Sequence, residues 1–222
     1  MAYTGAVSPG GEPDVRELSH LRITKVAVDP DMSNNCYLLR CAATGTQVLV
    51  DAAAEADGLL RLVGDDGLAA VVTTHQHWDH HRALAEVVAA TGAEVVAGAP
   101  DADAITEQTG VEVTRRVGDG DVVGVGDCEL EVIALVGHTP GSVALRYRDP
   151  DGHDHLFTGD SLFPGGVGKT WSAEDFATLV DDVETKVFGR LADDTWFYPG
   201  HGDDSTLGTE RPSLPEWRER GW

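Results

Sequence analysis

Residues 73–81 read TTHQHWDHH, which puts four of the chain's nine histidines, His75, His77, His80 and His81, around Asp79. Imidazole and carboxylate in one short run form a donor set suited to Zn, Fe or Mn. His75 and His77 stand two apart and could grip one cation. Asp79 and His80 are adjacent and could reach another on the far side of a turn. A polar loop whose histidines only bond backbone groups accounts for one or two such residues, and poorly for four with an aspartate. One loop supplies too few ligands to close a site, so further ligands should follow other apolar runs. Three candidates do: His138 in VGHTPGS, Asp160 in FTGDSLF and His201 in FYPGHGDD. Each is flanked by glycine, which lets backbone approach a site closely.

These residues need elements to bring them together. Val, Leu and aromatic runs bounded by Gly, Asp and Pro predict strands over 22–28, 35–40, 47–51, 69–73, 94–97, 128–136, 142–148, 155–158 and 195–198. Residues 83–91 predict a helix ended by Gly92. A longer helix is expected over 172–191. Ser172 can cap it with Asp175 three residues on, and Phe176, Leu179, Val180, Val183, Val187 and Leu191 mark one face. Strands in two sets with helices interspersed suggest a layered α/β domain. Residues 1–20 read as an irregular N-terminal arm and 21–222 as a single domain, its last segment, RPSLPEWRERGW, irregular and packed through Leu214 and Trp217. His153 and His155 fall in a hairpin turn and are expected to face solvent.

Composition narrows the function classes. Acidic residues outnumber basic ones 38 to 16, for a net charge of −22. Such a surface repels phosphate backbones and anionic lipid, which excludes nucleic acid as an expected partner. The first twenty residues lack the basic start and apolar run of a secretory signal, and no stretch approaches a membrane span. Three cysteines without a CxxC pair read as buried or idle thiols, so a cytoplasmic location is expected. No GxSxG motif competes with the histidines.

The series HxHxDH, GHTPGS, TGDSLF and PGHG, in this order from about residue 22 to 202, resembles the metallo-β-lactamase superfamily, and within it the glyoxalase II-like hydrolases. The resemblance implies a four-layer αββα sandwich: two mixed sheets back to back, helices outside, metals at one edge. It implies that His75, His77 and His138 bind one divalent metal ion, that Asp79, His80 and His201 bind a second, and that Asp160 bridges both. Zinc is the first expectation, iron or manganese the alternatives. Water acidified between two cations would then attack an activated acyl bond, with Asp79 and Asp160 the catalytic carboxylates. The implied substrate is a small-molecule thioester or thiol conjugate, and the protein a monomer or homodimer.

Sub-family choices follow from single positions. Related β-lactamases generally carry cysteine or serine where this chain has Asp160, so antibiotic cleavage is not expected. GGVGKT at 165–170 looks like the end of a P-loop, but that motif needs glycine at 163, where this chain has Phe163. The resemblance instead implies that Lys169 and Trp171 line the thiol end of the substrate, Lys169 pairing with a carboxylate and Trp171 packing on the chain. Many relatives have two glycines after the DH pair; here the run is DHHRAL, with His81 expected at the surface of a helix start. The 21 residues after His201 are too few for the region that completes the glutathione site in glyoxalase II, which leaves the thiol carrier open. A lactonase, and a persulfide dioxygenase with one iron at His75, His138 and Asp160, are the alternatives.

Overall fold

The computed structural model describes residues 3–221. The first sheet has seven strands lying in chain order: β1 (Asp14–Glu17), β2 (Leu21–Val28), β3 (Asn34–Cys41), β4 (Gln47–Val50), β5 (Ala70–Thr73), β6 (Glu94–Gly98) and β7 (Arg115–Val117). Pairing is antiparallel from β1 to β4 and parallel from β4 to β7. The second sheet holds β8 (Val122–Val125), β9 (Cys128–Ala134), β10 (Val143–Tyr147) and β11 (His155–Gly159). A small hairpin of β12 (Leu162–Phe163) and β13 (Gly166–Val167) follows. The second sheet then closes with β14 (Trp196–Pro199) and β15 (Ser205–Thr206), in the order β15-β14-β11-β10-β9-β8.

Helices α1 (Ala56–Val63), α2 (Leu84–Thr91) and α3 (Ala102–Thr109) cover the first sheet. The second is covered by α4 (Ala173–Asp182), α5 (Leu207–Glu210) and α6 (Leu214–Arg220). Three buried layers follow from this stacking. Leu39, Val50, Val72, Val132, Leu145 and Phe157 meet between the sheets. Leu49, Val71, Leu59, Leu84 and Ile105 join the first sheet to its helices. Ile133, Leu156, Phe197, Phe176, Leu179 and Trp217 join the second sheet to its own. β5 and β11 are buried along their whole length, because both faces of each sheet are covered. The αββα sandwich expected from the resemblance is the observed architecture.

Local expectations held where side-chain chemistry was strong. Ser172 caps α4 by accepting from the Asp175 N–H, and Gly92 ends α2 in the left-handed conformation. The apolar face of 172–191 is buried as expected, although Val183–Phe188 widens into a π-helical turn. Three expectations are corrected. Asp14–Glu17, within the expected irregular arm, pairs antiparallel with Arg22–Lys25 as β1. The C-terminal segment packs through Leu214 and Trp217 as expected but is helical, a 3₁₀ turn at Arg211–Ser213 leading into α6. His155 does not face solvent: it begins β11, is fully buried, and its Nδ1 lies 2.8 Å from the Tyr198 hydroxyl. The turn is confined to the residues before it, and His153 is half-buried with its Nε2 3.3 Å from Arg16.

His155 has a consequence for acid stability. Burial, with the charges of His153 and Arg16, pushes its imidazole down to about 3. An unfolded chain takes up that proton near pH 6.5, so the unfolded state binds more protons between about pH 6.5 and 3. Stability contributed by neutral His155 is therefore complete above that window and falls as pH drops through it, by up to about 1.4 kcal/mol per pH unit. Urea melts of wild type and His155→Phe over that range should show the flatter pH dependence in the variant. Parallel curves would mean that His155 is protonated while folded.

Candidate metal centre

The sheets deliver their polar residues to one edge. β5 ends at Thr73, and the next residues turn through a 3₁₀ helix at Trp78–His80 that points Asp79 and His80 inward. His138 follows β9, Asp160 follows β11 and His201 follows β14.

Two three-residue clusters result. In the first, His138 Nε2 lies 3.0 Å from His77 Nδ1 and 3.3 Å from His75 Nε2. In the second, His201 Nε2 lies 3.3 Å from His80 Nε2 and 3.4 Å from Asp79 Oδ2. Asp160 reaches both: its Oδ1 is 3.4 Å from His80 Nε2, and its Oδ2 is 3.5 Å from His201 Nε2 and 3.8 Å from His138 Nε2. All seven residues expected from the sequence are thus brought together. Lys169 and Trp171 lie at the mouth, the Trp171 ring 6.3 Å from that of His77 and the Lys169 Nζ 4.5 Å over the indole.

The donor set fits divalent cations. Nitrogens about 2.0–2.1 Å from a tetrahedral ion stand roughly 3.3 Å apart, close to the spacings in both clusters. Asp160 Oδ1 is buried with no hydrogen-bond partner among the described residues, an oxygen available to an ion. Gly200 keeps that space open: a Cβ there would lie 2.2 Å from Asp160 Oδ1 and 2.6 Å from His80 Cε1.

The imidazoles are turned by partners on their outer nitrogens. His80 Nδ1 meets Asp51 Oδ2 at 2.8 Å, His138 Nδ1 meets the Lys169 carbonyl at 2.7 Å, and His201 Nδ1 meets the Met32 carbonyl at 3.0 Å. Each bond leaves Nε2 facing the cluster, which fixes tautomer and ring orientation. The sequence reading missed these supports. Asp51 also accepts from Thr74 N and Oγ1 at 2.8 Å each. Asp101 joins the two histidine loops, taking hydrogen bonds from Gln76 N (2.9 Å), Thr139 Oγ1 (2.6 Å) and Gly141 N (2.7 Å). Asn34 Nδ2 donates to Asp79 Oδ2 at 3.0 Å. The one available signal was an aspartate closing the apolar run QVLVD. His81 is corrected as well: it is buried, its Nε2 3.1 Å from the Gln76 carbonyl, because the 3₁₀ turn rolls it under the loop.

Protonation follows the surroundings. Burial, then the neighbouring His80, hold His75 well below the usual imidazole range, and burial with His138 pulls His77 down to about 4. His138 is lowered by burial too. These three rings are neutral and can offer lone pairs. Burial also opposes charge on His201, but hydrogen bonds to Asp160 and Asp79 outweigh it and raise its imidazole to about 9. His80 is raised likewise, the Asp160 and Asp51 carboxylates overcoming its burial. Burial disfavours ionised Asp160 and Asp79; His80 outweighs it at Asp160 and the His201 hydrogen bond at Asp79, so both stay carboxylates. Cations entering here would displace the protons on His80 and His201.

A cleft of about 640 Å³ lies elsewhere, lined by Cys41, Cys128 and Tyr147 among others. It sits at the opposite strand ends and holds none of the grouped ligands.

Comparison with known proteins agrees with the geometry. A family model described as the metallo-beta-lactamase superfamily matches residues 29–204. A hydroxyacylglutathione hydrolase from Rhodospirillum rubrum is 36% identical over 154 residues, 68% of this chain and 56% of the relative. The chain thus spans a little over half the length of that relative. The crystal structure of ETHE1 from Myxococcus xanthus is 29% identical with a TM-score of 0.76, over 89% of this chain and 84% of that one. A protein solved in a di-iron-bound form is 30% identical with a TM-score of 0.66, over 86% of this chain and 98% of that one.

Proposed function

The chain belongs to the metallo-beta-lactamase superfamily, and on that premise we propose that it is a dinuclear metal-dependent hydrolase of small-molecule thioesters, glyoxalase II-like in its chemistry. The observation that supports this most is Asp160, whose two oxygens reach toward both histidine clusters at once. His75, His77 and His138 would hold one divalent ion and Asp79, His80 and His201 the other, with Asp160 shared; zinc suits the nitrogen-rich set. When bound, two such ions supply Lewis acidity, which makes water a nucleophile near neutral pH and polarises a carbonyl.

The chain's own groups do the rest. Asp79 is ionised and its Oδ2, steadied by Asn34, faces His80 and His201, so this carboxylate would orient the water and accept its proton. The water oxygen bonds to the acyl carbon, the C–S bond breaks, and the water's proton compensates the departing thiolate, giving one carboxylic acid and one thiol. Lys169 and Trp171, which lie together beside His77, would hold the thiol end, the ammonium on a carboxylate and the indole on its chain. Asp160 argues against a β-lactam substrate. The second cluster offers a place for a second ion, which the two-ion hydrolase reading requires.

A panel of thioesters, lactones and a persulfide, assayed with the metal-loaded protein, tests the reading. Thioester cleavage is expected; lactone cleavage alone, or oxygen uptake with the persulfide, would replace it. Lys169→Ala should raise KM for the best thioester about fivefold with little change in kcat, as expected for roughly 1 kcal/mol of uniform binding. An unchanged KM would remove Lys169 from the substrate site. No helix among the described residues is long and apolar enough to cross a membrane.

A further inference from the structure

For a chain of net charge −22, the placement of its exposed hydrophobics is uneven. Four large ones are more than a third exposed among the described residues: Met32 (41%), Trp78 (54%), Val122 (39%) and Trp171 (66%). Three of the four stand around the metal centre. Isolated exposed apolar side chains are ordinary, whereas a cluster at the rim of a polar site marks a binding surface.

The rim has two unlike sides. Beside His77 and His138 lie Trp171 and Lys169, whose ammonium makes no ion pair among the described residues. Met32 and Trp78 adjoin the second cluster, Met32 through its carbonyl on His201 and Trp78 next to Asp79 in the chain. Arg82 ties them together: its guanidinium lies 4.7 Å over the Trp78 ring and 2.5 Å from Asp29, and Asp29 Oδ1 accepts from Met32 N at 3.3 Å. The arginine's charge is thereby matched within the protein. Phe163, half-buried, continues this side, its ring 6.5 Å from that of His201.

The Met32 loop is also built into the centre. The Met32 carbonyl holds His201, and the residues bounding the turn, Asp29 (φ 61°) and Ser33 (φ 54°), are both left-handed without being glycine. Such conformations cost of order 1 kcal/mol or more each and persist where surrounding bonds impose them. Here Glu55 Oε1 accepts from Asp29 N (2.9 Å), and Asp29 O from Ser33 N (2.7 Å). The exposed Met32 is therefore held in place, and Asp31, exposed next to it in the chain, adds a negative charge.

We infer that Met32, Trp78 and Phe163 form the acyl subsite, and that it takes an uncharged, apolar acyl group of several carbons in preference to a short or carboxylated one. This rests on the thioester-hydrolase reading, in which Lys169 and Trp171 face the thiol side. An extended alkyl chain leaving the centre toward Met32 and Trp78 would cover surface that is otherwise wet, while Asp31 would repel an acyl carboxylate.

The test is an acyl-length series on one carrier: acetyl, butyryl and hexanoyl glutathione thioesters with metal-loaded protein. Full burial of a methylene is worth about fourfold; on an open rim about twofold per methylene is expected, so kcat/KM should rise roughly 16-fold from acetyl to hexanoyl. The double variant Met32→Ser/Trp78→Ala should reduce that ratio to about twofold. A flat series, or a ratio unchanged in the double variant, overturns the subsite. Should no thioester be cleaved, the hydrolase reading fails by itself, and the subsite is judged by calorimetry with the free acids. Hexanoate binding several-fold tighter than acetate, with the gap lost in the double variant, would support it; equal affinities would refute it.

Discussion

Asp160→Ala is expected to lower thioester hydrolysis by at least about 10³-fold and to leave less than two metal equivalents per chain. The reason is geometric. Among the described residues, Asp160 is the one side chain whose oxygens approach His80, His138 and His201 together, so its loss disconnects the two clusters. Its carboxylate also supplies the charge that, with Asp51, holds His80 above the ordinary range and, with Asp79, does the same for His201. Losing about 4 kcal/mol of transition-state stabilisation, a modest figure for a displaced Lewis acid, corresponds to roughly 10³ in rate. The fold should survive, because His80 and His201, which Asp160 helps keep protonated, can lose their protons rather than stay buried as unpaired charges, and Asp160 Oδ1 makes no hydrogen bond to the described residues. Circular dichroism and metal analysis on the variant separate the two effects. Retained activity with two bound ions would show that the bridge is dispensable.

Lys25→Met should cost roughly 3–5 kcal/mol of stability, a large share of what a domain of this size has. Lys25 and Asp204 are an ion pair at 2.7 Å whose side chains are 0% and 1% exposed. The ammonium also donates to the carbonyls of Gly5 and Gly202 at 2.8 Å each, while Asp204 Oδ2 accepts from Tyr3 and Trp196. Methionine fills the space but leaves a buried carboxylate facing only neutral donors. Pairing it with Asp204→Leu should restore part of the loss, as expected when a buried pair is replaced whole rather than halved. The effect reaches the metal centre through Gly202, next to His201, so the single variant should also release one ion more readily. Chemical denaturation of wild type, the single and the double variant checks the first claim; a cost below about 1 kcal/mol for Lys25→Met would contradict it.

What could be read in the sequence depended on how local the signal was. The seven clustered residues were legible because four fall in one short run and the other three each follow an apolar run beside a glycine, as His201 does beside Gly200. Their supports were not. Asp51 looks like an ordinary strand end until His80, 29 residues on, meets it, and Lys25 finds Asp204 179 residues away. Histidines judged by their neighbours were misread for the same reason. His81 sits in a polar run and His155 beside a turn, yet the 3₁₀ turn and the first residue of β11 carry both inside. Helices α1 and α3 went unread, each only eight residues long and stabilised by the sheet they cover rather than by their own periodicity. β1 is four residues whose order comes from β2.

The central claim is a pair of metal ions in one site, and metal content measures it directly. Protein purified without chelator or nickel affinity resin, and analysed by mass spectrometry for zinc, iron and manganese, should carry two divalent ions per chain. Asp160→Ala purified in parallel should carry fewer. One iron per chain with no second ion taken up on titration, or a folded protein that binds no metal at all, would contradict it.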